Sequence, residues 1–290
     1  MNSVLRQPIE TVPVGKTLGA EIRGVDLAEG PCEATLDAIK AAWTEYLVLV
    51  FRDQQLSDAA LLEFARNFGE LDPPGPNPYG EPLHKTHPEL NVISNIVEKN
   101  RPIGNLGAGE AVWHADMTYL EHPPRGAVLY AVEIPPKGGN TYFANMYAAY
   151  GALPESLRAR AEGRVAIHDA SHNSAGMRRK DYQEISDVRD TPGARQPLIR
   201  TDAGSGRRAL FLGRRPRSYV LGLEVEESEA LLDALWAHAT EERFTLCHEW
   251  RIGDLLMWNN LAVLHRRDAF DPDARRRLHR AQIKGDQPIV

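Results

Sequence analysis

From residue 244 to 284 the chain runs through four short apolar or alternating segments, 244–250, 255–258, 262–266 and 276–284, with turn-forming residues between them. Segments this short, bounded by Gly, Asp and Pro, are strands of a sandwich or barrel rather than helices. The same pattern recurs earlier, at 47–52 (LVLVFR), 91–97, 127–134, 141–144, 197–201 and 208–212. Residues 10–27 add short strands with Gly15, Gly19 and Gly24 as turn signals. Helical periodicity is confined to a few insertions. Residues 32–45 place Leu36, Ile39, Ala42 and Trp43 on one face, and residues 225–240 do the same with Leu231, Leu232, Leu235 and Trp236. Ser57 precedes the helical DAALLEFARNF, which Gly69 closes, and a further helical patch spans 147–161. The expected fold class is mainly β with helical insertions, built as a jelly roll.

No composition shift divides the 290 residues, so a single domain spanning 1–290 is expected. Within it, residues 1–72 read as a mixed α/β cap. Residues 73–83 (PPGPNPYGEPL) form a long loop, as does the glycine-rich 103–109. The polar, aperiodic stretch 171–195 is long for a loop inside a compact domain, which suggests a lid insertion. Apolar residues make up 42% of the chain, enough for a sizeable core. Acidic residues outnumber basic ones 40 to 34, so a nucleic-acid partner is not expected. The longest apolar run, 46–51, is far short of the ~20 residues a spanning helix needs, so a membrane role is not expected either. Two cysteines cannot make a disulfide framework, and the first residues lack an apolar signal core; a cytoplasmic setting follows as the expectation.

His114 and Asp116, in VWHADMTY, stand two residues apart, a spacing that turns both to one face of a strand. An imidazole and a carboxylate projecting together suit one metal ion, although a surface strand with polar outward residues gives the same triplet. His265 sits in the otherwise apolar GDLLMWNNLAVLHRR, where a satisfied core histidine is the plainer alternative. The following segment shifts that balance. After the turn DPDA, Arg276, Leu278 and Arg280 would share a strand face, and two guanidiniums there suit a dicarboxylate. Two histidines and one carboxylate form the facial set of non-haem Fe(II) oxygenases. A zinc hydrolase could use the same His/Asp/His set, and a jelly-roll module could bind a small acid without catalysis.

The ordered set of motifs resembles the TauD/TfdA family of Fe(II)- and 2-oxoglutarate-dependent dioxygenases, the taurine and 2,4-dichlorophenoxyacetate dioxygenases. The resemblance rests on LGAEIRGVDL, LVFRDQQLSDAALLEFARNFGELD, WHADMTY, PPKGGNTYFANMYAAYGALP and GDLLMWNNLAVLHRRDAFDPDARRRLHRAQIKGD, and so covers nearly the whole chain. It implies a double-stranded β-helix with His114, Asp116 and His265 as iron ligands. Thr141 would hydrogen-bond 2-oxoglutarate, Arg276 would pair with its distal carboxylate, and Arg280 would lie near its C1 carboxylate and an anionic group of the substrate. The implied reaction consumes O2 and 2-oxoglutarate, hydroxylates a small organic acid (carboxylate, sulfonate or sulfate ester), and releases succinate and CO2. Asp116 in the ligand set favours hydroxylation over halogenation. Loop residues Tyr79, His84, Lys85, Asn105, Met117 and Tyr119, with Met177 and Arg178 in the 171–195 stretch, are the expected substrate contacts. A homo-oligomer, dimer or tetramer, is expected from relatives. One departure is visible. The family's usual Trp-Asp-Asn-Arg before the distal histidine is here Trp258-Asn259-Asn260-Leu261, which bears on packing behind the site and not on the ligands.

Overall fold

The computed structural model describes residues 9–75, 84, 86–286 and 289. Tyr79 and Lys85, and residues 76–83 of the Pro/Gly-rich loop, lie outside the described residues. Two sheets face each other. The larger runs in the order Glu10–Pro13, Ala20–Arg23, Val48–Phe51, Leu255–Asn259, Gly126–Glu133, Arg277–Ile283, Asn91–Ser94, Asn105–Leu106, with Leu71–Asp72 also paired to Arg277–Ile283. The smaller runs Thr245–His248, Thr141–Asn145, Val263–Arg267, Ala111–His114. Its neighbours are antiparallel throughout. This is the jelly roll expected from the strand pattern.

Period-2 alternation divides the larger sheet between two cores. Leu129, Leu256, Trp258, Val50 and Leu278 face inward and pack with Phe143, Leu264 and Val263 of the smaller sheet. Val128, Leu255, Met257, Leu49, Phe51, Ala281 and Ile283 face the other way. That outer face is covered by the helices Glu33–Tyr46 and Asp58–Arg66, which contribute Ile39, Trp43, Leu61, Leu62 and Phe64. Ser57 caps the second helix by accepting from the Ala60 amide. A sheet with helices on one face and a second sheet on the other has all its central strands buried, which is why LVLVFR reads as a continuous apolar run.

Residues 9–72 therefore contribute strands to the larger sheet as well as the helices that cover it. The helical patch at 147–161 is two helices, Met146–Gly151 and Glu155–Ala161, because Pro154 cannot continue the first and starts the second. Residues 171–195 carry little regular structure, a single 3₁₀ turn at Val188–Asp190 and an isolated bridge between His172 and Arg178. This stretch is fastened to the segment after the strand Ala111–His114. The Ala194 amide donates to the Tyr119 carbonyl, Gln196 Nε2 donates to the carbonyls of Thr118 and Leu120, and the Arg179 guanidinium stacks 4.1 Å from the Tyr119 ring centroid.

Candidate metal centre

The smaller sheet places His265 directly opposite His114 in register, with Phe143 opposite His265 on its other side. The two imidazoles lie 4.1 Å apart between centroids, and the rings of Phe143 and Trp258 lie beside His265. Asp116 joins them by a route other than strand alternation. The strand ends at His114, and Asp116 lies in the turn beyond it, followed by Met117 at φ 51°. What holds that turn is Asn260, fully buried, whose Oδ1 accepts from the Asp116 amide at 2.7 Å while its Nδ2 donates to the carbonyls of Asp116 and Pro124. The result is a buried cluster in which His114, Asp116 and His265 each offer a ligand atom, all within 4.8 Å of one another.

The protonation states suit metal binding. His114 Nδ1 lies 2.7 Å from the Val112 carbonyl and donates to it, which leaves Nε2 as the lone-pair atom, 3.6 Å from Asp116 Oδ1. Burial pushes the His265 imidazole well below its usual range, and His114 adds to the effect, so His265 is neutral. Burial alone would raise the Asp116 carboxyl. The Arg280 guanidinium outweighs it and holds the group well below the usual carboxylate range. Arg280 Nη1 bridges both oxygens of Asp116, at 2.9 and 2.8 Å.

Just before the strand Arg277–Ile283, Arg276 is 2% exposed. Its Nη2 donates to the Gly139 carbonyl at 3.3 Å, while Nε and Nη1 are buried without a partner. Burial, then the nearby Arg267, pushes its guanidinium down to about 9. Gly139 is a requirement of this placement, because at φ +68° its missing Cβ would stand 3.1 Å from Arg276 Nε. Thr141 is buried, its Oγ1 accepting from Trp250 Nε1 at 3.0 Å, so its own hydroxyl hydrogen remains to be donated.

Of the expected substrate contacts, Asn105, Met117 and Tyr119 line the cavity over the triad together with Arg280. His84 does not. Its Nε2 is bound to Asp58 Oδ2 at 2.9 Å, and Asp58 also holds His279. Met177 and Arg178 are exposed, and Arg178 pairs with Glu184. The cavity wall also holds residues that sequence reasoning passed over: His168, Asp169, Arg179 and Arg214. In the segment with the unusual motif, Asn259 Oδ1 accepts from the Leu261 amide. The Leu261 carbonyl takes a hydrogen bond from Arg200, which pairs with Asp202. A guanidinium from another strand thus reaches the segment that lacks the family's arginine.

The family model described as "Taurine catabolism dioxygenase TauD, TfdA family" matches residues 10–282. The chain belongs to this family. It is 37% identical over 285 residues to an alpha-ketoglutarate-dependent 2,4-dichlorophenoxyacetate dioxygenase of Cupriavidus pinatubonensis, covering 96% of this chain and 98% of that one. It is 34% identical over 295 residues to an (S)-phenoxypropionate/alpha-ketoglutarate-dioxygenase of Sphingobium herbicidovorans, covering 96% and 95%. Among solved structures, AAD-2 in complex with Mn(II) and N-oxalylglycine superposes with a TM-score of 0.79 at 29% identity, covering 98% of this chain and all of that one. The protein is thus a 2-oxoglutarate-dependent dioxygenase, an oxidoreductase using O2, and its His–Asp–His set fits Fe(II). Neither the zinc hydrolase nor the non-catalytic binding module finds support among these relatives. No helix among the described residues is long and apolar enough to cross a membrane.

Proposed function

We propose that the protein hydroxylates a small organic acid, most simply a carboxylate of the aryloxyalkanoate kind, with release of succinate and CO2. In this reading His114, Asp116 and His265 are the ligands of Fe(II). Bound there, the iron and 2-oxoglutarate supply the activation of O2 and the oxidation of a substrate C–H bond. The protein's part is to bind, orient and exclude water. Arg276 receives the distal carboxylate of 2-oxoglutarate on its unpartnered Nε and Nη1 edge, and Thr141 donates its hydroxyl hydrogen to the same co-substrate. Arg280, largely buried beside Asp116, takes the C1 side and the anionic group of the substrate.

The observation that carries the reading is Arg276, a buried guanidinium with no carboxylate against it among the described residues, placed just before the strand Arg277–Ile283 whose Arg280 pairs with Asp116 of the buried His–Asp–His set. Such a cation is costly unless an anion arrives to pair with it. Charge supports an acidic substrate too. In the cavity over the triad Arg214 is matched by Asp169, whereas Arg179 has no acidic partner among the described residues. Once Asp116 serves a metal, Arg280 is also released to meet an anion.

The test is an anaerobic titration with Fe(II) and 2-oxoglutarate, followed by a screen of carboxylates, sulfonates and sulfate esters for succinate release. The expected result is saturable 2-oxoglutarate binding that needs the metal, and succinate release stimulated most by a carboxylate. Binding of 2-oxoglutarate without metal dependence would reject the site. Preference for a sulfonate or sulfate ester would reject the substrate class alone.

We also propose that residues 171–195 close over the bound substrate, since the stretch is long, irregular and fastened beside Tyr119 at the cavity. Backbone hydrogen exchange in 171–195 is expected to slow when substrate is added to the loaded protein. Unchanged protection would reject a closing motion.

A further inference from the structure

His168 follows the short strand Val165–Ile167 and is 1% exposed. Its ring packs at 32° to Phe211, with centroids 5.5 Å apart. Its other neighbour is Gly213, at φ +66°, where a Cβ would stand only 2.3 Å from the ring Nδ1. Gly213 in turn belongs to the metal centre's own framework. Its carbonyl accepts from the Ala115 amide at 2.9 Å, and Arg214 bridges in β fashion to His114. The glycine therefore seats an imidazole one backbone layer from the triad, on the wall of the cavity above it.

Both ring nitrogens of His168 are buried and have no hydrogen-bond partner among the described residues. Its polar neighbours on the same wall differ. The Asp169 carboxylate is taken by Arg214 and by the Ser171 amide and hydroxyl. His172 Nδ1 lies 2.8 Å from Ser171 Oγ. A neutral imidazole carries one donor and one acceptor, and leaving both unmade is unfavourable in a buried place. The Tyr119 hydroxyl is another buried polar group at this cavity without a hydrogen-bond partner among the described residues.

Resting on the dioxygenase reading of the site, we propose that His168 reads a neutral polar group of the substrate (an ether, hydroxyl or carbonyl oxygen) through a hydrogen bond while Arg280 holds the acid. An anion is the wrong partner for His168. Burial pushes its imidazole down to about 3, so it brings no charge at neutral pH. A purely hydrocarbon substrate would leave both nitrogens unpaired, and sites built to hydrogen-bond a substrate discriminate strongly against analogues that lack the group.

Calorimetry on the protein loaded with Mn(II) and the inert 2-oxoglutarate analogue N-oxalylglycine tests this without turnover. The probes are matched carboxylates: phenoxyacetate with 3-phenylpropanoate, 4-oxopentanoate with 4-methylpentanoate, and 6-hydroxyhexanoate with heptanoate. In at least one pair the polar member is expected to bind tighter by roughly 10- to 100-fold. His168→Leu is expected to abolish that difference, His168→Gln, which keeps a donor and an acceptor, to restore part of it, and both to bind N-oxalylglycine as the unaltered protein does. Should His168→Leu lose N-oxalylglycine binding through misfolding, His168→Phe, which keeps a ring in the slot, is read in its place. The inference is overturned if no pair favours its polar member, or if the preference survives loss of the imidazole. Failure of the unaltered protein to take up N-oxalylglycine with Mn(II) strikes instead at the dioxygenase reading, and the inference falls with it.

Discussion

Replacing Arg276 with methionine is expected to raise the melting temperature of the metal-free protein and, in the same variant, to cripple its use of 2-oxoglutarate. The two effects have one cause. The guanidinium is 2% exposed, one of its nitrogens has a carbonyl acceptor, and Nε and Nη1 have nothing. Even pushed down to about 9 it remains protonated at neutral pH, so the fold carries a buried charge without a counterion. Methionine fills a similar volume without that charge. Exchanges of buried ionic groups for apolar ones of like shape often gain ~1–4 kcal/mol, which corresponds to a rise of several degrees for a chain of this size, at ~2–4 °C per kcal/mol. The co-substrate loses its partner at the same time. Truncating one member of a buried, hydrogen-bonded charge pair costs ~2–5 kcal/mol, so KM for 2-oxoglutarate is expected to rise by about 30-fold or more, with metal binding little changed. Arg276→Lys keeps the charge but not the planar fork and falls between the two. Thermal melts with and without 2-oxoglutarate, together with KM, decide the matter. A less stable Arg276→Met variant, or an unchanged KM, would show that the buried cation serves the fold and not the co-substrate.

Sequence pattern located this arginine because a strand's period of two is simple to count. Leu278 does face the core, and His279, on the opposite face, reaches outward to Asp58. That His114 and Asp116 come together was legible for a less exact reason. Their spacing suggested two positions of one strand, whereas the structure ends the strand at His114 and carries Asp116 in a turn. That turn is clamped by Asn260, which lies 144 positions along the chain. The local sequence holds His114 and Asp116 but not the clamp. His168 shows the limit more sharply. No local pattern in IHDASH singles it out, and only the absent Cβ of Gly213, folded against it from a distant segment, makes it a wall of the cavity. His84 errs in the other direction. A polar loop near the metal looked like substrate-contact territory, yet Asp58 on the second helix takes its imidazole. Local periodicity reports which face a side chain occupies. It does not report which distant segment will cover that face, and the unforeseen parts of this site are all of that kind.

Asp116→Ala is expected to abolish metal binding and turnover outright, a larger effect than the ~10- to 100-fold that outer partners of metal ligands typically command. Its interpretation needs care because Asp116 has two jobs. Besides its place in the triad, it is the counterion of Arg280, whose Nη1 lies within 2.9 Å of both carboxylate oxygens. Removing the carboxylate alone leaves that largely buried guanidinium uncompensated, a change that costs ~3–5 kcal/mol when one partner of a buried pair is lost. A dead single variant could therefore be dead through instability. Asp116→Ala combined with Arg280→Met separates the two, since stability should return toward that of the unaltered protein while Fe(II) binding does not. The pH dependence adds an independent check. The folded carboxyl is held below its unfolded value, so its stabilising contribution is complete above the unfolded pKa of ~3.9 and is lost only as pH falls through the lower folded value. Between pH 5 and 8 Asp116 therefore stays charged, and any activity change in that interval comes from another group. Equilibrium dialysis with Fe(II) under anaerobic conditions, beside melts of the single and double variants, gives the answer. If the double variant is stable and still binds Fe(II) as the unaltered protein does, Asp116 is a counterion and not a ligand.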